Sequence, residues 1–237
     1  MSTVLVTGGA VRLGRAMVLH LAGRGYNVAL HYRKSKESAE QTADEARELG
    51  VRCKTYSADF TDFNAIASLM DRVITDFNSI ELLINSAANF IQENLEETSN
   101  NKLLETININ LIAPFVLMRE FKKKVNSGLI INILDQRILK RISAFGTYSV
   151  SKSALAHLTE LSAMEWGETV RVNGIAPGLI LSPDGGSDEY LLHNAQQIPT
   201  KTHGKVSDVI RGLDYLIDSP FVNGEILFID GGESKKG

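Results

Sequence analysis

The feature that most constrains the fold of this chain is a regular alternation between short apolar segments and longer amphipathic ones. The short segments are aliphatic and β-branched throughout, as expected of strands covered on both faces, and the longer ones have apolar residues at helical spacing. Alternation of this kind is typical of a parallel sheet packed between helices. The sequence therefore predicts an α/β fold, a single Rossmann-type doubly wound parallel sheet of roughly seven strands with helices on both faces.

The elements can be placed approximately. The predicted strands share an aliphatic core and lie at 3–6, 28–32, 51–56, 80–85, 129–134, 170–175 and 225–229. The predicted helices lie at 13–24, 36–49, 63–77, 148–166 and 206–217, with a long helical region between the fourth and fifth strands that reaches about residue 125. We expect one domain, 1–237, because no repeat or linker divides the chain.

One long segment, 182–205, is polar and interrupts the alternation. We predict that it is irregular and forms a substrate loop, because long loops in compact domains are usually lids or binding loops. It also follows the sixth strand at the carboxyl edge of the sheet, where ligands of such folds bind. A merely mobile insertion is the alternative.

Composition excludes several function classes. The net charge of −3 provides no basic surface for nucleic acid, and no apolar run is long enough to cross a membrane. No secretory signal is recognisable, and the single cysteine, Cys53, cannot form an intramolecular disulfide, so a cytoplasmic location and a buried, inert thiol are expected. The five histidines show no metal-ligand spacing, so no metal site is predicted.

A glycine-rich turn, Thr7-Gly8-Gly9 to Gly14, follows the first strand. Gly8 would allow a tight turn and Gly14 a close contact between helix and strand, which together bring a pyrophosphate to the helix N-terminus. A turn with the same residues but no nucleotide is the alternative.

The end of the second strand indicates which dinucleotide binds. Tyr32 is followed by Arg33, Lys34 and Ser35, where an NAD site would place an acidic residue against the ribose 2′-hydroxyl. Cations at this position suit a 2′-phosphate, so NADPH is predicted, with a solvated basic turn as the alternative. Asp59, after the third strand, is placed to bind the adenine edge, or else begins the next helix.

Tyr148 and Lys152 lie one helical turn apart and are candidates for acid–base chemistry. A lysine at this distance would lower the pKa of the tyrosine towards neutrality. Asp135, at the end of the fifth strand, could face the same cleft. Asn110 is a polar amide inside an apolar helix, where it requires either a function or an exposed position.

With these motifs in this order, nearly the whole chain resembles the short-chain dehydrogenase/reductase superfamily. The motifs are the Thr7-Gly8 turn, Asn85-Ser86-Ala87, Asn110, Tyr148 to Lys152, Arg171 to Gly178 and Ile229 to Gly232. The resemblance implies that Tyr148 donates a proton, that Lys152 binds the nicotinamide ribose, and that Asn110 holds a water of a proton relay. It also implies a homodimer or homotetramer. The remaining cofactor contacts that it implies are Leu13, Phe60, Asn85, Ser86, Ala87, Pro177, Gly178, Leu179 and Ile180.

Two positions depart from the common pattern of that superfamily. Arg12 replaces the middle glycine of the turn, and Asp135 replaces the catalytic serine. In both, the chain is similar to pteridine reductases and bacterial dihydromonapterin reductases. That similarity implies NADPH-dependent reduction of a dihydropterin to the tetrahydropterin, with Arg12, Phe90, Asp135 and Tyr148 as substrate-binding residues.

The chemistry of Asp135 supports the similarity to pterin reductases. An ionised carboxylate cannot donate a hydrogen bond to a developing oxyanion, whereas the hydroxyl of serine can. Two alternatives stay open. One is a carbonyl reductase of the 3-oxoacyl type, against which Asp135 argues. The other is a non-catalytic NADP(H)-binding regulator. Such proteins usually lack the tyrosine or the lysine of the catalytic pair, whereas this chain retains both, as Tyr148 and Lys152.

Overall fold

The computed structural model describes residues 2–140, 143–183 and 186–236. Its centre is a seven-stranded parallel sheet in the order β3-β2-β1-β4-β5-β6-β7. The strands are β1 (Thr3–Thr7), β2 (Asn27–Tyr32), β3 (Cys53–Ser57), β4 (Leu82–Asn85), β5 (Gly128–Ile133), β6 (Val170–Pro177) and β7 (Ile226–Ile229). The predicted doubly wound α/β fold is confirmed.

Helices cover both faces of this sheet. They are α1 (Arg12–Gly23), α2 (Lys36–Glu48), α3 (Phe63–Phe77), α4 (Asn100–Ile107), α5 (Ala113–Lys124), α6 (Gly146–Trp166), α7 (Asp188–Ala195) and α8 (Val206–Asp218). Apolar residues of α1, α2 and α8 belong to one core, and those of α3, α5 and α6 to the other. Strand β1 shows why its residues are apolar throughout: Val4 and Val6 enter the first core and Leu5 the second.

The position of the site follows from the strand order. The chain places β2 and β3 on one side of β1 and β4 to β7 on the other, so the carboxyl ends of β1 and β4 form the switch point where ligands of such sheets bind. Thr7 joins these ends, because its Oγ1 accepts the N–H groups of Ser86 and Ala87, both at 3.0 Å.

The prediction that 182–205 is irregular was wrong for its middle part, which forms α7. Leu191 and Ala195, one turn apart, are buried on one face of this short helix, while most of its other residues are exposed. Residues 184 and 185 of the predicted loop lie outside the described residues.

The long helical region after β4 is also interrupted. It begins only at Asn100, and a π-helical turn, Asn108–Ile112, separates α4 from α5. Pro114 has no N–H to offer the Asn110 carbonyl, so the regular hydrogen bond between these residues cannot form. Such π turns occur often at functional sites, and this one contains Asn110.

Three further findings concern membrane spanning, metal binding and the reactivity of the cysteine, none of which the sequence predicts. Within the described parts of the chain, no helix is long and apolar enough to span a membrane. In the same residues, no three His, Cys, Asp or Glu side chains are grouped so that they could hold a metal ion. Cys53 is buried, which raises the pKa of its thiol to about 12, so this side chain is unreactive near neutral pH. The cytoplasmic location stays a prediction.

Candidate active site

A cavity of about 530 Å³ opens at the carboxyl ends of the central strands. Most of the predicted cofactor contacts line it: Gly8, Arg12, Leu13, Gly14, Tyr32, Arg33, Lys34, Ser35, Phe60, Ser86, Ala87, Tyr148, Lys152, Pro177, Gly178 and Ile180. Three predicted contacts do not. Asn85 is buried against Asn132, Leu179 lines a neighbouring cavity, and Asp59 binds Arg33.

The glycine turn has the geometry that a pyrophosphate requires. A Cβ on Gly8, whose φ is +66°, would lie 2.9 Å from the Ala87 Cα, and a Cβ on Gly14 would lie 2.0 Å from the Gly8 carbonyl oxygen. Only glycine therefore fits at either position. The first turn of α1 has no acidic residue and its N-cap, Val11, makes no side-chain hydrogen bond, so the helix N-terminus suits an anion. These residues fit a dinucleotide.

Arg12 occupies the turn in a conformation that favours glycine. Its φ is +53°, which costs a residue with a side chain roughly 1 kcal/mol. Its guanidinium donates to the Ser182 carbonyl at 2.5 Å and so connects the turn to the segment after β6. Strain of this kind is concentrated at functional sites, where side-chain contacts compensate for it.

His31 packs against the turn and hydrogen-bonds to it, a role that residue spacing does not predict. Its ring stacks on Phe60 with centroids 4.1 Å apart and planes within 3°. Its Nδ1 accepts the Gly8 N–H at 3.2 Å, and its Nε2 donates to the Ala58 carbonyl at 3.0 Å. The only sequence signal is a histidine within the apolar β2 strand. Burial lowers the pKa of His31 to about 4, so the ring is neutral near pH 7.

This buried histidine should make folding stability depend on pH. The folded-state pKa of about 4 lies below the ordinary 6.5, so the unfolded chain takes up a proton first. The stabilisation is complete above about pH 6.5, decreases progressively below that pH, and is fully lost once the pH falls through about 4. We expect this residue alone to reduce the free energy of unfolding by about 2 kcal/mol between pH 7 and pH 4.5.

Urea unfolding at both pH values measures the effect. His31→Gln should be less stable at pH 7 but should lose less stability on acidification than the wild type. The control is His157→Gln, because the side chain of His157 is 71% exposed and its replacement should leave the free energy of unfolding at pH 7 close to the wild-type value. Equal pH dependence in the wild type and His31→Gln would contradict the assignment.

The basic segment after β2 is anchored by two carboxylates. Arg33 Nε donates to Asp59 Oδ2 and its Nη1 to Glu105 Oε1, both at 2.9 Å. Thr61 binds the other oxygen of Asp59 through its N–H and its hydroxyl. Asp59 thus orients Arg33 at the cavity rim, and its proposed contact with adenine stays a prediction.

The predicted catalytic side chains are brought together where β5 ends and α6 begins. The Tyr148 hydroxyl donates to Asp135 Oδ2 at 3.0 Å. Lys152 lies one turn along α6, and its Nζ donates to the Ile133 carbonyl at 2.7 Å. Both Tyr148 and Lys152 are buried.

The ionisation of Tyr148 differs from the sequence prediction. Burial, and then the charge and hydrogen bond of Asp135, raise the pKa of Tyr148 well above its ordinary value. The expected lowering by Lys152 was wrong for this structure, because the ammonium is 6.0 Å from the ring centroid and bonds to the Ile133 carbonyl instead. Burial lowers the pKa of Lys152 to about 8. Tyr148 is therefore protonated at neutral pH and can act as an acid.

Asn110 is fully buried, so the alternative of an exposed helix residue was wrong. Its Nδ2 donates to the Asn89 carbonyl at 3.1 Å and to Ser151 Oγ at 3.0 Å, and its Oδ1 accepts the Asn89 N–H at 3.0 Å. Ser151 Oγ in turn donates to the Tyr148 carbonyl at 2.7 Å. Asn110 thus connects the segment after β4 to α6, and its role in a water relay stays a prediction.

A second cavity, of about 590 Å³, adjoins the first. Arg12, Phe90 and Asp135, three of the four predicted substrate contacts, line it. Tyr148 lines the first cavity and bonds to Asp135, so it lies where the two cavities meet. Phe90 is half-exposed, and its ring meets Tyr148 edge-on at 4.8 Å.

Sequence reasoning missed several residues of this second cavity. Arg137 binds Asp135 and lies over two phenylalanine rings. Its only signal in the sequence is a cationic residue two positions after a carboxylate at the end of a strand. Three polar side chains of the α7 region were missed because that segment was expected to be irregular: Tyr190, Asn194 and Gln197.

A family model described as short chain dehydrogenase matches residues 2–188. The chain belongs to this family. It is 28% identical to the 3-oxoacyl-[acyl-carrier-protein] reductase FabG of Staphylococcus aureus over 97% of both chains. The crystal structure of FolM alternative dihydrofolate reductase 1 from Brucella canis, complexed with NADP, superposes with a TM-score of 0.93 at 28% identity, covering 100% of this chain and 95% of that one.

A third relative is a blue fluorescent protein from a metagenomic library, solved in complex with NADPH. Its TM-score is 0.90 at 28% identity, over 98% of this chain and 97% of that chain. Relatives with different substrates in their names are therefore equally distant in sequence. Family membership establishes an oxidoreductase fold with a site for a small molecule, and it does not identify the substrate.

Proposed function

We propose that this short chain dehydrogenase is an NADPH-dependent reductase that converts a dihydropterin, of the dihydromonapterin or dihydrobiopterin type, to the tetrahydropterin. The observation that carries the proposal is the 3.0 Å hydrogen bond from the Tyr148 hydroxyl to Asp135, at the junction of the two cavities. An acid held by a carboxylate is suited to a reaction that forms a new amine N–H bond and passes through no alkoxide.

The hydrogen-bonding capacity of Asp135 and Tyr148 decides which kind of double bond this site can reduce. A carboxylate accepts hydrogen bonds and repels negative charge, so Asp135 opposes the oxyanion that forms when a ketone accepts hydride. A C=N bond develops no such oxyanion, because its nitrogen takes up a proton as hydride reaches the carbon. Tyr148, protonated at neutral pH, can deliver that proton.

Each residue then has a role in the balance of the reaction. When bound in the cavity lined by Gly8, Gly14 and Lys152, NADPH would supply the hydride for the carbon of the C=N bond and would be released as NADP⁺. Tyr148 transfers its proton to the nitrogen and recovers one from solvent, and Asp135 orients the hydroxyl. Lys152, whose buried amine donates to the Ile133 carbonyl, would bind the nicotinamide ribose. Phe90 offers a half-exposed ring face for stacking, which positions a flat substrate for transfer.

NADPH is supported by two observations. The glycines at positions 8 and 14 leave room for a pyrophosphate, and Arg33, Lys34 and Ser35 line the same cavity without an acidic residue that would bind a 2′-hydroxyl. The Brucella canis relative was solved with NADP and the metagenomic relative with NADPH.

The two cations should determine the choice between cofactors. We expect Arg33→Gln and Lys34→Gln each to raise the Kd of NADPH about 10-fold, because each removes roughly 1.4 kcal/mol of charge-assisted bonding to a phosphate. The Kd of NADH should stay within about twofold of the wild-type value, since NADH lacks the 2′-phosphate. Titration of nucleotide fluorescence measures both constants. Equal weakening of NADH and NADPH would place the 2′-phosphate elsewhere.

Steady-state NADPH oxidation tests the activity itself. Purified protein should oxidise NADPH with 7,8-dihydromonapterin or dihydrobiopterin at a kcat/KM at least about 10-fold above that with an acetoacetyl thioester. Faster turnover of the thioester would replace this proposal by a carbonyl reductase, the candidate supported by the FabG relatives.

A non-catalytic regulator is less well supported, since Tyr148 and Lys152 are both present and buried in one cleft. Binding of NADPH without turnover of either substrate would favour the regulator. We also propose a homodimer or homotetramer, because α4 and α6 expose large apolar side chains, including Leu104 and Met164 at 60% and 80%.

A further inference from the structure

We propose that Arg137 is a positioning residue, which holds the Asp135 carboxylate in the orientation that points one oxygen at Tyr148. This inference rests on the proposed function, because it assigns a part of the same reductive site. Neither the motifs nor the family match draws attention to Arg137, which lies two residues beyond Asp135 in the short 3₁₀ turn Gln136–Ile138.

The contacts divide the two carboxylate oxygens between different tasks. Asp135 Oδ1 accepts the Arg137 backbone N–H at 2.8 Å, whereas Oδ2 accepts the Tyr148 hydroxyl at 3.0 Å. Arg137 Nη1 lies 3.2 Å from Oδ1 and 3.1 Å from Oδ2. The backbone bond alone would let the carboxylate turn about Oδ1. Because this one guanidinium nitrogen contacts both oxygens, it opposes that rotation and fixes the plane of the carboxylate.

Arg137 is itself held by aromatic rings. Its guanidinium carbon lies 4.5 Å from the Phe145 centroid and 5.3 Å from the Phe90 centroid. The two rings are 4.9 Å apart, and Phe90 also contacts Tyr148. Guanidinium groups stack favourably on aromatic faces, which leaves the donor edge free to bind a carboxylate. The contacts therefore close a ring from Phe90 through Arg137 and Asp135 to Tyr148.

Because Arg137 and Asp135 are mostly buried, the loss of either partner should have a large effect. Only 13% of the Asp135 side chain and 23% of the Arg137 side chain are exposed. Removal of one partner from such a pair leaves an uncompensated charge, which draws in water or turns towards another donor. Burial and the Asp135 charge raise the pKa of Tyr148, and the guanidinium of Arg137 opposes that rise. Loss of Arg137 should therefore change both the orientation of the Asp135 carboxylate and the pKa of Tyr148.

A double-mutant cycle on kcat separates positioning from a general structural role. Arg137→Gln should lower kcat about 10- to 100-fold, as should Asp135→Asn, and the double variant should be within about twofold of Asp135→Asn alone. The Kd of NADPH should be unchanged within about twofold, since Arg137 does not line the dinucleotide cavity. Additive losses in the double variant, or an unchanged kcat in Arg137→Gln, would overturn the inference.

Two further variants sharpen the cycle. Arg137→Lys retains the charge but loses the planar group that stacks on Phe90 and Phe145, so kcat should recover only part of the loss. Arg52→Gln is the matched control, because the Arg52 guanidinium also lies over a phenylalanine ring, 4.9 Å from the Phe77 centroid, but outside both cavities. It should leave kcat within about twofold of the wild-type value. Full activity in Arg137→Lys would mean that charge alone suffices and would refute the fixing of the carboxylate plane.

The test does not depend on the identity of the substrate. The cycle is measured with whichever substrate the wild-type protein reduces, the dihydropterin or the acetoacetyl thioester. If the wild-type protein does not reduce dihydropterins, the proposed function is contradicted. The cycle can still be measured with the acetoacetyl thioester. A crystal structure of Arg137→Gln decides the inference without turnover. The account expects the Tyr148 oxygen and the Asp135 carboxylate to separate beyond about 3.5 Å, and retention of the present contact would contradict it.

Discussion

Tyr148→Phe is expected to lower kcat for dihydropterin reduction by about 10²- to 10⁴-fold, the usual contribution of a positioned general acid. The substitution removes one oxygen atom, and the ring keeps its contact with Phe90. The Kd of NADPH should change little, because the proton and not the ring is lost. Stopped-flow measurement of single-turnover NADPH oxidation gives the rate of the chemical step directly.

A matched control distinguishes this loss from general damage. Tyr56→Phe removes another buried tyrosine hydroxyl, which donates to Asp76 at 2.7 Å on the β3 side of the sheet, away from both cavities. It should reduce stability by about 1 kcal/mol without a change in kcat. If Tyr148→Phe retained more than about a tenth of the wild-type rate, Tyr148 could not be the principal acid.

Asp135→Ser should have opposite consequences for the two classes of substrate, whereas Asp135→Asn should lower only the reduction of the dihydropterin. Both are expected to lower kcat for the dihydropterin by about 10- to 100-fold, because the hydroxyl of Tyr148 loses its charged acceptor. Asp135→Ser also supplies a hydroxyl that can donate to a developing oxyanion, so turnover of the acetoacetyl thioester should rise. The ratio of kcat/KM values for the two substrates is the quantity to compare.

Serine and asparagine control for one another in this pair. Both remove the carboxylate charge, but only serine restores the hydroxyl that carbonyl reduction favours. An increase in thioester turnover in Asp135→Asn as well would show that removal of negative charge is sufficient. A dihydropterin rate unaffected by either substitution would remove Asp135 from the mechanism.

The parts of this molecule that the sequence could predict are those set by local rules. The positions of Gly8 and Gly14 follow from backbone conformation and close contact, and both are confirmed as places where a Cβ would collide. Helix α3 coincides with its predicted range of 63–77, because its apolar residues recur at helical spacing and Asp62 caps its first turn.

The remaining features depend on contacts between distant segments. The neutral state of His31 and the high pKa of Tyr148 both arise from burial, which residue spacing does not reveal. Helix α7 is too short and too polar to be recognised from its periodicity. Arg137 could not be assigned, because its role follows from two rings contributed by different parts of the chain, Phe90 and Phe145.

The measurement that tests the central claim most directly is the transfer of isotope to the product. Wild-type protein would be mixed with a 7,8-dihydropterin, an acetoacetyl thioester and NADPH carrying deuterium at the transferable position of the nicotinamide. Mass spectrometry of the tetrahydropterin should then find one deuterium on the ring carbon adjacent to the reduced nitrogen, with no transfer in Tyr148→Phe on the same timescale. Recovery of unlabelled dihydropterin, with the deuterium passed instead to an acetoacetyl thioester, would contradict the account.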